Sequence, residues 1–299
     1  MSFPEIISSG ERILSFEFFP PKKREGLEKT RKLISDLARF NPHFMTCTYG
    51  AGGGTRDTTV EIVDFIRNEL EVPAVAHLTC VGHTIEELEL ILGKLQATGL
   101  KNILALRGDP PKGATKFEPV EGGLSSAREL VEFINKNYNF NVAVAGYPEV
   151  HPEATSPQAD LDYLKTKVDA GADIIITQLF FEADVYFAFQ EKCRKAGINV
   201  PILPGIMPIS SIKQVRKFTG MCGATIPEGL QKSLADLEKS GDEVVDFGTE
   251  YATELVQNLL DGGAPGVHLY TLNKYNQVGQ IAESVGFPLN VEPSRKICC

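Results

Sequence analysis

The feature that most constrains this chain is a rhythm. Short, almost wholly apolar runs alternate with longer amphipathic ones from end to end. Runs such as Ile103-Leu104-Ala105-Leu106, Val142-Ala143-Val144-Ala145 and Ile174-Ile175-Ile176 show no polar face. Strands of that kind are buried on both sides, as parallel strands are when helices cover them. The spacing predicts strands over Arg12–Phe19, Phe44–Tyr49, Ala74–Thr79, Asn102–Arg107, Asn141–Gly146, Asp173–Gln178, Pro201–Ile206 and Val267–Thr271. Helical periodicity fills the intervals. Gly26–Phe40 carries Leu27, Leu33, Ile34, Leu37 and Ala38 on one face, and Asp57–Leu70 follows the next strand. Thr84 with Glu87 three residues on forms a capping box, and Gly99 ends that helix. Ser125–Tyr138, Ser156–Ala170, Ala183–Ala196, Ser211–Gly220 and Asn273–Val285 continue the pattern, with Ser156-Pro157 reading as a cap and first turn. Two helical stretches, Pro227–Lys239 and Asp242–Leu260, precede the last strand. Eight such units in about 250 residues or more predict an α/β fold, a (β/α)₈ TIM barrel. A doubly wound open sheet is the alternative. No linker divides the chain, so residues 1–299 read as one domain with loose ends at about 1–10 and 288–299.

Barrel chemistry gathers where the strands end, and these ends are polar. The first offers Glu17 within Ser15-Phe16-Glu17-Phe18-Phe19-Pro20-Pro21-Lys22, a carboxylate among phenylalanines near the end of a buried strand. Such a group must be paired, hydrogen-bonded or protonated. Desolvation raises a carboxyl pKa, which suits a general acid, while a structural carboxylate satisfied by a buried cation is the alternative. Other ends supply Thr48-Tyr49, His77, Arg107-Gly108-Asp109, Tyr147 with Glu149 and His151, Gln178 and Tyr270. Separate capping roles explain some of these singly; one shared site explains them together.

Several classes are disfavoured. The formal net charge of −9 argues against a nucleic-acid surface. None of the six cysteines forms a C-x-x-C pair, which fits a reducing, cytoplasmic setting and offers no zinc knuckle. The N-terminus lacks signal-peptide character, and no apolar run is long enough to span a bilayer. The terminal Cys298-Cys299 pair reads as a frayed tail rather than a prenylation signal. Gly50–Gly54 lacks G-x-G-x-x-G, because Thr55 stands at the third glycine, and reads as a tight βα turn. Glu149, His151 and Glu153 share one loop, which is thin support for a metal site, and none is expected.

The same segments resemble the methylenetetrahydrofolate reductase family. The resemblance runs through Ser15–Lys22, Thr48-Tyr49-Gly50, His77-Leu78-Thr79-Cys80, Ala105–Pro111, Gly146–Ala154, Ile176–Phe181 and Pro204-Gly205-Ile206-Met207-Pro208, in family order. It covers the compact catalytic barrel without the C-terminal regulatory domain of eukaryotic members. It implies non-covalent FAD, NADH or NADPH as reductant, and reduction of 5,10-methylenetetrahydrofolate to 5-methyltetrahydrofolate by a ping-pong scheme. That product feeds methionine synthesis and one-carbon metabolism. A homo-oligomer is implied as well.

Carried over by position, Glu17 would be the general acid, and Asp109 would lie near both the flavin pyrimidine and the pterin. Gln178 would bond the pterin, Phe218 would stack on a substrate ring, and Gln214 and Lys274 would meet the folate. FAD would be held by Thr48, Tyr49, His77, Arg107, Gly108, Asp109, Ala127, Tyr147, His151, Asp160 and Lys167. Arg107 and Lys167 would face its pyrophosphate. The chain departs from some members at Tyr163 (asparagine), Thr166 (arginine) and Lys274 (arginine), and its loop Pro111–Gly123 is longer than in compact bacterial members. Competing readings are another flavin barrel oxidoreductase, a non-catalytic folate-binding subunit, and a metal-dependent barrel hydrolase or aldolase.

Overall fold

The computed structural model describes residues 1–49, 56–110, 117–240 and 243–290. Its strands are β1 (Ile13–Phe18), β2 (Phe44–Cys47), β3 (Ala74–Thr79), β4 (Asn102–Leu106), β5 (Asn141–Gly146), β6 (Ile174–Thr177), β7 (Ile202–Leu203), β8 (Gly205–Ile206) and β9 (Gly266–Tyr270). Their order in the sheet is β7-β6-β5-β4-β3-β2-β1-β9-β8, and every pairing is parallel.

The two ends of that order are halves of one strand. Only Pro204 separates β7 from β8. Pro204 has no N–H to give a ladder, and the chain changes partner there. Ile202 pairs with Ile175 of β6, whereas Gly205 pairs with His268 of β9. The Pro204 carbonyl still accepts from His268 N at 2.9 Å. The single predicted strand Pro201–Ile206 is therefore bent, and the bend closes an eight-stranded ring. The (β/α)₈ barrel holds and the open sheet is excluded.

The helices are α1 (Phe3–Ser8), α2 (Leu27–Ala38), α3 (Arg56–Asp64), α4 (Ile85–Ala97), α5 (Ala127–Asn137), α6 (Pro157–Asp169), α7 (Ala183–Lys195), α8 (Ile212–Cys222), α9 (Glu228–Ser240), α10 (Val244–Asp261) and α11 (Asn276–Ser284). The helix expected over Asp57–Leu70 is α3 continued by a wider π turn, Phe65–Glu69. The Thr84 and Ser156 caps form as read, Thr84 accepting from Glu87 N and Ser156 from Ala159 N. Among the described residues, no helix is long and apolar enough to cross a membrane.

Outward-facing strand residues such as Phe16, Met45, Ile103, Val144 and Leu269 join the helices in the main core. A second core fills the barrel floor with Ile13, Phe44, Val75, Leu104, Ile174 and Leu203. Phe3 and Ile6 of α1 close that floor and are buried. Ser2 and Glu5 form a capping box for α1, and Asn102 ties it down by accepting from Phe3 N at 3.0 Å and donating to Met1 O at 3.1 Å. The expectation that residues 1–10 are loose is therefore corrected. Six residues give too few turns for helical periodicity to register. A third apolar cluster, including Leu179, Phe181, Ile209, Val215, Leu230 and Leu234, joins the segments after β6 and β8 to α8 and α9.

Candidate active site

On β1, alternation turns Phe16 and Phe18 toward the helices, and Ser15 and Glu17 into the barrel. Parallel register sets Ser15 beside His268 and Glu17 beside Tyr270. Ser15 Oγ lies 2.8 Å from His268 Nδ1. Glu17 Oε2 lies 3.4 Å from His268 Nε2 and 3.4 Å from His77 Nε2. The carboxylate, 12% exposed, thus rests on two buried imidazoles. Burial pushes His77 down to about 4, overriding the pull of the Glu17 carboxylate. His77 is therefore neutral at neutral pH, and its approach to Glu17 is not an ion pair.

The end of β1 is pinned from β9. Thr271 Oγ1 donates to Glu17 O at 2.6 Å, and Asn273 clamps Phe19 by accepting from its N–H (2.9 Å) and donating to its carbonyl (2.8 Å). Leu272 and Asn273 adopt left-handed backbone to make that turn. Nearby, Thr46 Oγ1, Thr79 Oγ1 and His77 Nε2 are buried without a hydrogen-bond partner. Buried polar atoms seldom stay unpaired, so these mark places where water or a ligand completes the interior.

A second polar group forms where β4 and β5 end. Arg107 Nη1 and Nη2 donate to Glu153 Oε2 and Oε1 at 2.5 and 2.9 Å, and Nε donates to Gly108 O at 3.2 Å. The guanidinium lies 5.1 Å from the Phe117 ring centroid and holds the Glu153 carboxyl below the usual carboxylate range. Gly108 has a left-handed φ of 91°, and a Cβ there would lie 2.4 Å from Val81 Cγ1. His151 is bracketed, its N–H donating to Asp160 Oδ2 (2.9 Å) and its Nδ1 accepting from Glu153 N (3.1 Å). Burial, with Arg107 nearby, lowers its imidazole pKa. Tyr147 stands edge-on to that ring at 4.5 Å, and burial pushes its phenol up to about 12.

Lys167 is the buried cation of this group. Its Nζ donates to Ala145 O at 2.6 Å and lies 5.3 Å from the Tyr163 ring. Burial pushes it down to about 8, against the opposing pull of Asp160. An unfolded chain keeps this proton to about 10.5. Between those values the unfolded state binds the extra proton, so stability from this group rises with pH. We expect wild type to gain urea midpoint relative to Lys167→Met as pH goes from about 8 to about 10. A difference that stays flat would show that the buried ammonium carries no such cost. Tyr147, Asp160, Leu164, Lys167 and Phe189 help line a cavity of about 210 Å³.

The remaining positions are distributed as follows. Thr48 N donates to Phe18 O at 2.9 Å and its carbonyl accepts from Thr59 Oγ1 at 3.1 Å. Tyr49 packs on His83 with centroids 5.6 Å apart. Asp109 is exposed beside Gly108. Ala127, the first residue of α5, is buried behind its Ser126 cap. Gln178 turns its Oε1 to Leu179 N at 2.8 Å and sits by Tyr147. Phe218 lies half-buried on the upper apolar cluster. Gln214 and Lys274 converge on Ser210. The Gln214 Oε1 accepts from Ser210 N and Oγ (2.7 and 2.8 Å), and Lys274 Nζ reaches Ser210 Oγ at 3.4 Å. Gln214 Nε2 also donates to Pro208 O at 3.2 Å, so that amide is committed to its own loop. Gly50–Gly54 and Cys298-Cys299 lie outside the described residues.

The carboxylates weighed as metal ligands face elsewhere. Glu149 accepts from Thr225 N at 2.8 Å and from Thr225 Oγ1, and Glu153 pairs with Arg107. His268 was missed by the sequence reading. Val267-His268-Leu269-Tyr270 alternates apolar-out with polar-in, which was the available signal.

These features define a closed βα-barrel protein whose strands deliver a largely enclosed carboxylate and its polar neighbours to one interior. The family model described as methylenetetrahydrofolate reductase matches residues 2–286. Methylenetetrahydrofolate reductase (NADH) 1 of Arabidopsis thaliana is 43% identical over 279 residues, covering 90% of this chain and 47% of that protein. The 5,10-methylenetetrahydrofolate reductase of Escherichia coli is 39% identical over 277 residues, covering 93% and 92%. The chain thus spans about half the length of the plant relative and nearly all of the bacterial one. A Clostridium thermocellum structure, described as an uncharacterized protein that binds two copies of 5-methyl-5,6,7,8-tetrahydrofolic acid, superposes with a TM-score of 0.66. At 18% identity, covering 96% of this chain and 98% of that one, it supports the fold. The chain belongs to the methylenetetrahydrofolate reductase family.

Proposed function

We propose that this chain reduces 5,10-methylenetetrahydrofolate to 5-methyltetrahydrofolate, with FAD as carrier and NADH or NADPH as the source of electrons, the two substrates binding in turn. The observation that carries this reading is the Glu17 carboxyl, aimed into the barrel and seated on His77 and His268. The residues present also suit FAD. Thr79 Oγ1 is a buried hydroxyl awaiting a partner, and Arg107 and Lys167 supply cations where β4 and β5 end. When bound, FAD would supply two-electron transfer, accepting a hydride from the nicotinamide and releasing it to the folate.

The chain's own residues would do the rest. Glu17 would give its proton to the bridging nitrogen of the imidazolidine ring, opening it to an iminium carbon that can accept hydride. With Ser15 donating to Nδ1, His268 would hold its own proton on Nε2, facing Glu17. Neutral His77 would pack against the carboxyl without adding a counter-charge. Asp109 would sit by the flavin pyrimidine, where negative charge disfavours an anionic reduced ring. Gln178 would orient the pterin, Phe218 would stack beyond it, and Lys274 with Gln214 would border the substrate's outer end.

The test is anaerobic and direct. The purified protein should take up FAD and turn yellow, bleach with reduced nicotinamide, and recover colour when methylenetetrahydrofolate is added. Stopped-flow mixing with each nicotinamide separately ranks NADH against NADPH. A colourless protein that takes up no FAD would remove the proposal. Bleaching that methylenetetrahydrofolate never reverses would favour a different flavin barrel oxidoreductase.

A further inference from the structure

The Arg107 edge that a pyrophosphate would take is already occupied. Its Nη1 and Nη2 both donate to Glu153, and its Nε donates to Gly108 O. Guanidinium recognises carboxylate and phosphate by the same two-pronged geometry, so one anion can stand in for the other. The two partners also come from different places. Arg107 follows β4, whereas Glu153 lies between β5 and α6. Glu153 is 52% exposed at its side chain and can turn to water, while Arg107, at 24%, is held by Gly108 and Phe117.

The charges point the same way. Arg107, Glu153, Asp160 and Lys167 all act on His151, and Asp109 acts on Arg107, so they form one cluster. Two are cations and three are anions, a formal charge of −1. Such a cradle repels a dianionic ligand. Moving Glu153 away cancels that excess and leaves the Arg107 fork free.

We propose that Glu153 is an internal latch, its carboxylate holding the Arg107 fork in the place of a dinucleotide's pyrophosphate, so that cofactor loading exchanges one anion for the other. The latch rests on the FAD reading above. An exposed ion pair is weak enough to be exchanged readily.

The test is FAD titration of the flavin-free chain, read by quenching of flavin fluorescence and by calorimetry. Glu153→Gln should bind FAD more tightly, by up to about fivefold, the most that an exposed ion pair withholds. Glu153→Asp keeps the charge but is too short to grip both Nη atoms, and should tighten binding part of the way. In an Arg107→Gln background, binding should weaken and Glu153→Gln should add nothing. Unchanged or weaker binding by Glu153→Gln overturns the latch, because the carboxylate would then be positioning Arg107 for the ligand. Equal tightening in both backgrounds also overturns it, since simple repulsion would suffice. If wild type and variants all bind no FAD, the flavin reading falls and the latch with it. If wild type binds FAD and the variants bind no tighter, the latch alone falls.

Discussion

Glu17→Gln is expected to split the two half-reactions. Reduction of bound flavin by nicotinamide should proceed at nearly the wild-type rate, because that hydride transfer needs no proton from Glu17. Folate reduction should fall by about 10²–10⁴-fold, the usual worth of a positioned general acid. Gln matches Glu in shape and can still bond His268, but its amide has no acidic proton to give. The surroundings favour a clean reading. His77 is pushed down to about 4 and is neutral, so removing the carboxylate strands no cation at His77. Single-turnover stopped flow separates the steps. Equal losses in both, or a folate step that survives, would take the acid role away from Glu17. Loss of FAD binding in the variant would instead make the carboxyl structural, the alternative weighed from the sequence alone.

The barrel was legible because a parallel strand covered on both faces cannot hide its composition. Ile174-Ile175-Ile176 and Val142-Ala143-Val144 fall on β6 and β5, and their neighbours differ from expectation by a residue or two at the ends. Pro204 was visible too, but its meaning was not. A proline inside a strand signals a break in pairing; it does not say that the chain on either side keeps going with a new partner. Only the register, with Ile202 on β6 and Gly205 on β9, shows that the break is the closure. Helix α1 was hidden for another reason. Phe3 and Ile6 are two apolar residues in a short segment, and nothing local says that a barrel floor awaits them.

The site was legible at strand ends and less so within strands. Glu17 and His77 stood out because charge or imidazole in an apolar run demands an explanation, and they do meet, at 3.4 Å. His268 escaped because it sits two residues below Tyr270, deeper than the mouth where function was sought. The Arg107–Glu153 pair could not be read at all. Forty-six positions separate the two residues, and their contact exists only because β4 and β5 are neighbours.

The second large effect concerns the seam that Pro204 and Gly205 create. Gly205 N donates to Thr177 Oγ1 at 2.9 Å, and Tyr270 Oη donates to Thr177 O at 2.6 Å, so β6, β8 and β9 meet at one point. A Cβ on Gly205 would stand 2.3 Å from Thr177 O and 2.6 Å from Tyr270 Oη. The first is backbone within the sheet and cannot swing aside. Gly205→Ala must therefore spread β8 from β6 or expel Tyr270 from its hydrogen bond. Overpacking costs about 1–3 kcal/mol, and a buried group left unpaired adds about 1–3 kcal/mol. Their sum, about 2–6 kcal/mol, corresponds to a fall in Tm of roughly 3–10 °C for a domain of this size. Gly220→Ala is the control. It lies within α8 with nothing within 4 Å of the added methyl, and helix propensity favours alanine there by about 0.5–1 kcal/mol. If Gly205→Ala melts with wild type while Gly220→Ala behaves as expected, the three strands do not meet as tightly as these distances require. If it melts early, flavin reduction and folate reduction can be compared in the folded fraction. Tyr270 is the register partner of Glu17, so a loosened seam should disturb the acid's folate step more than the nicotinamide step.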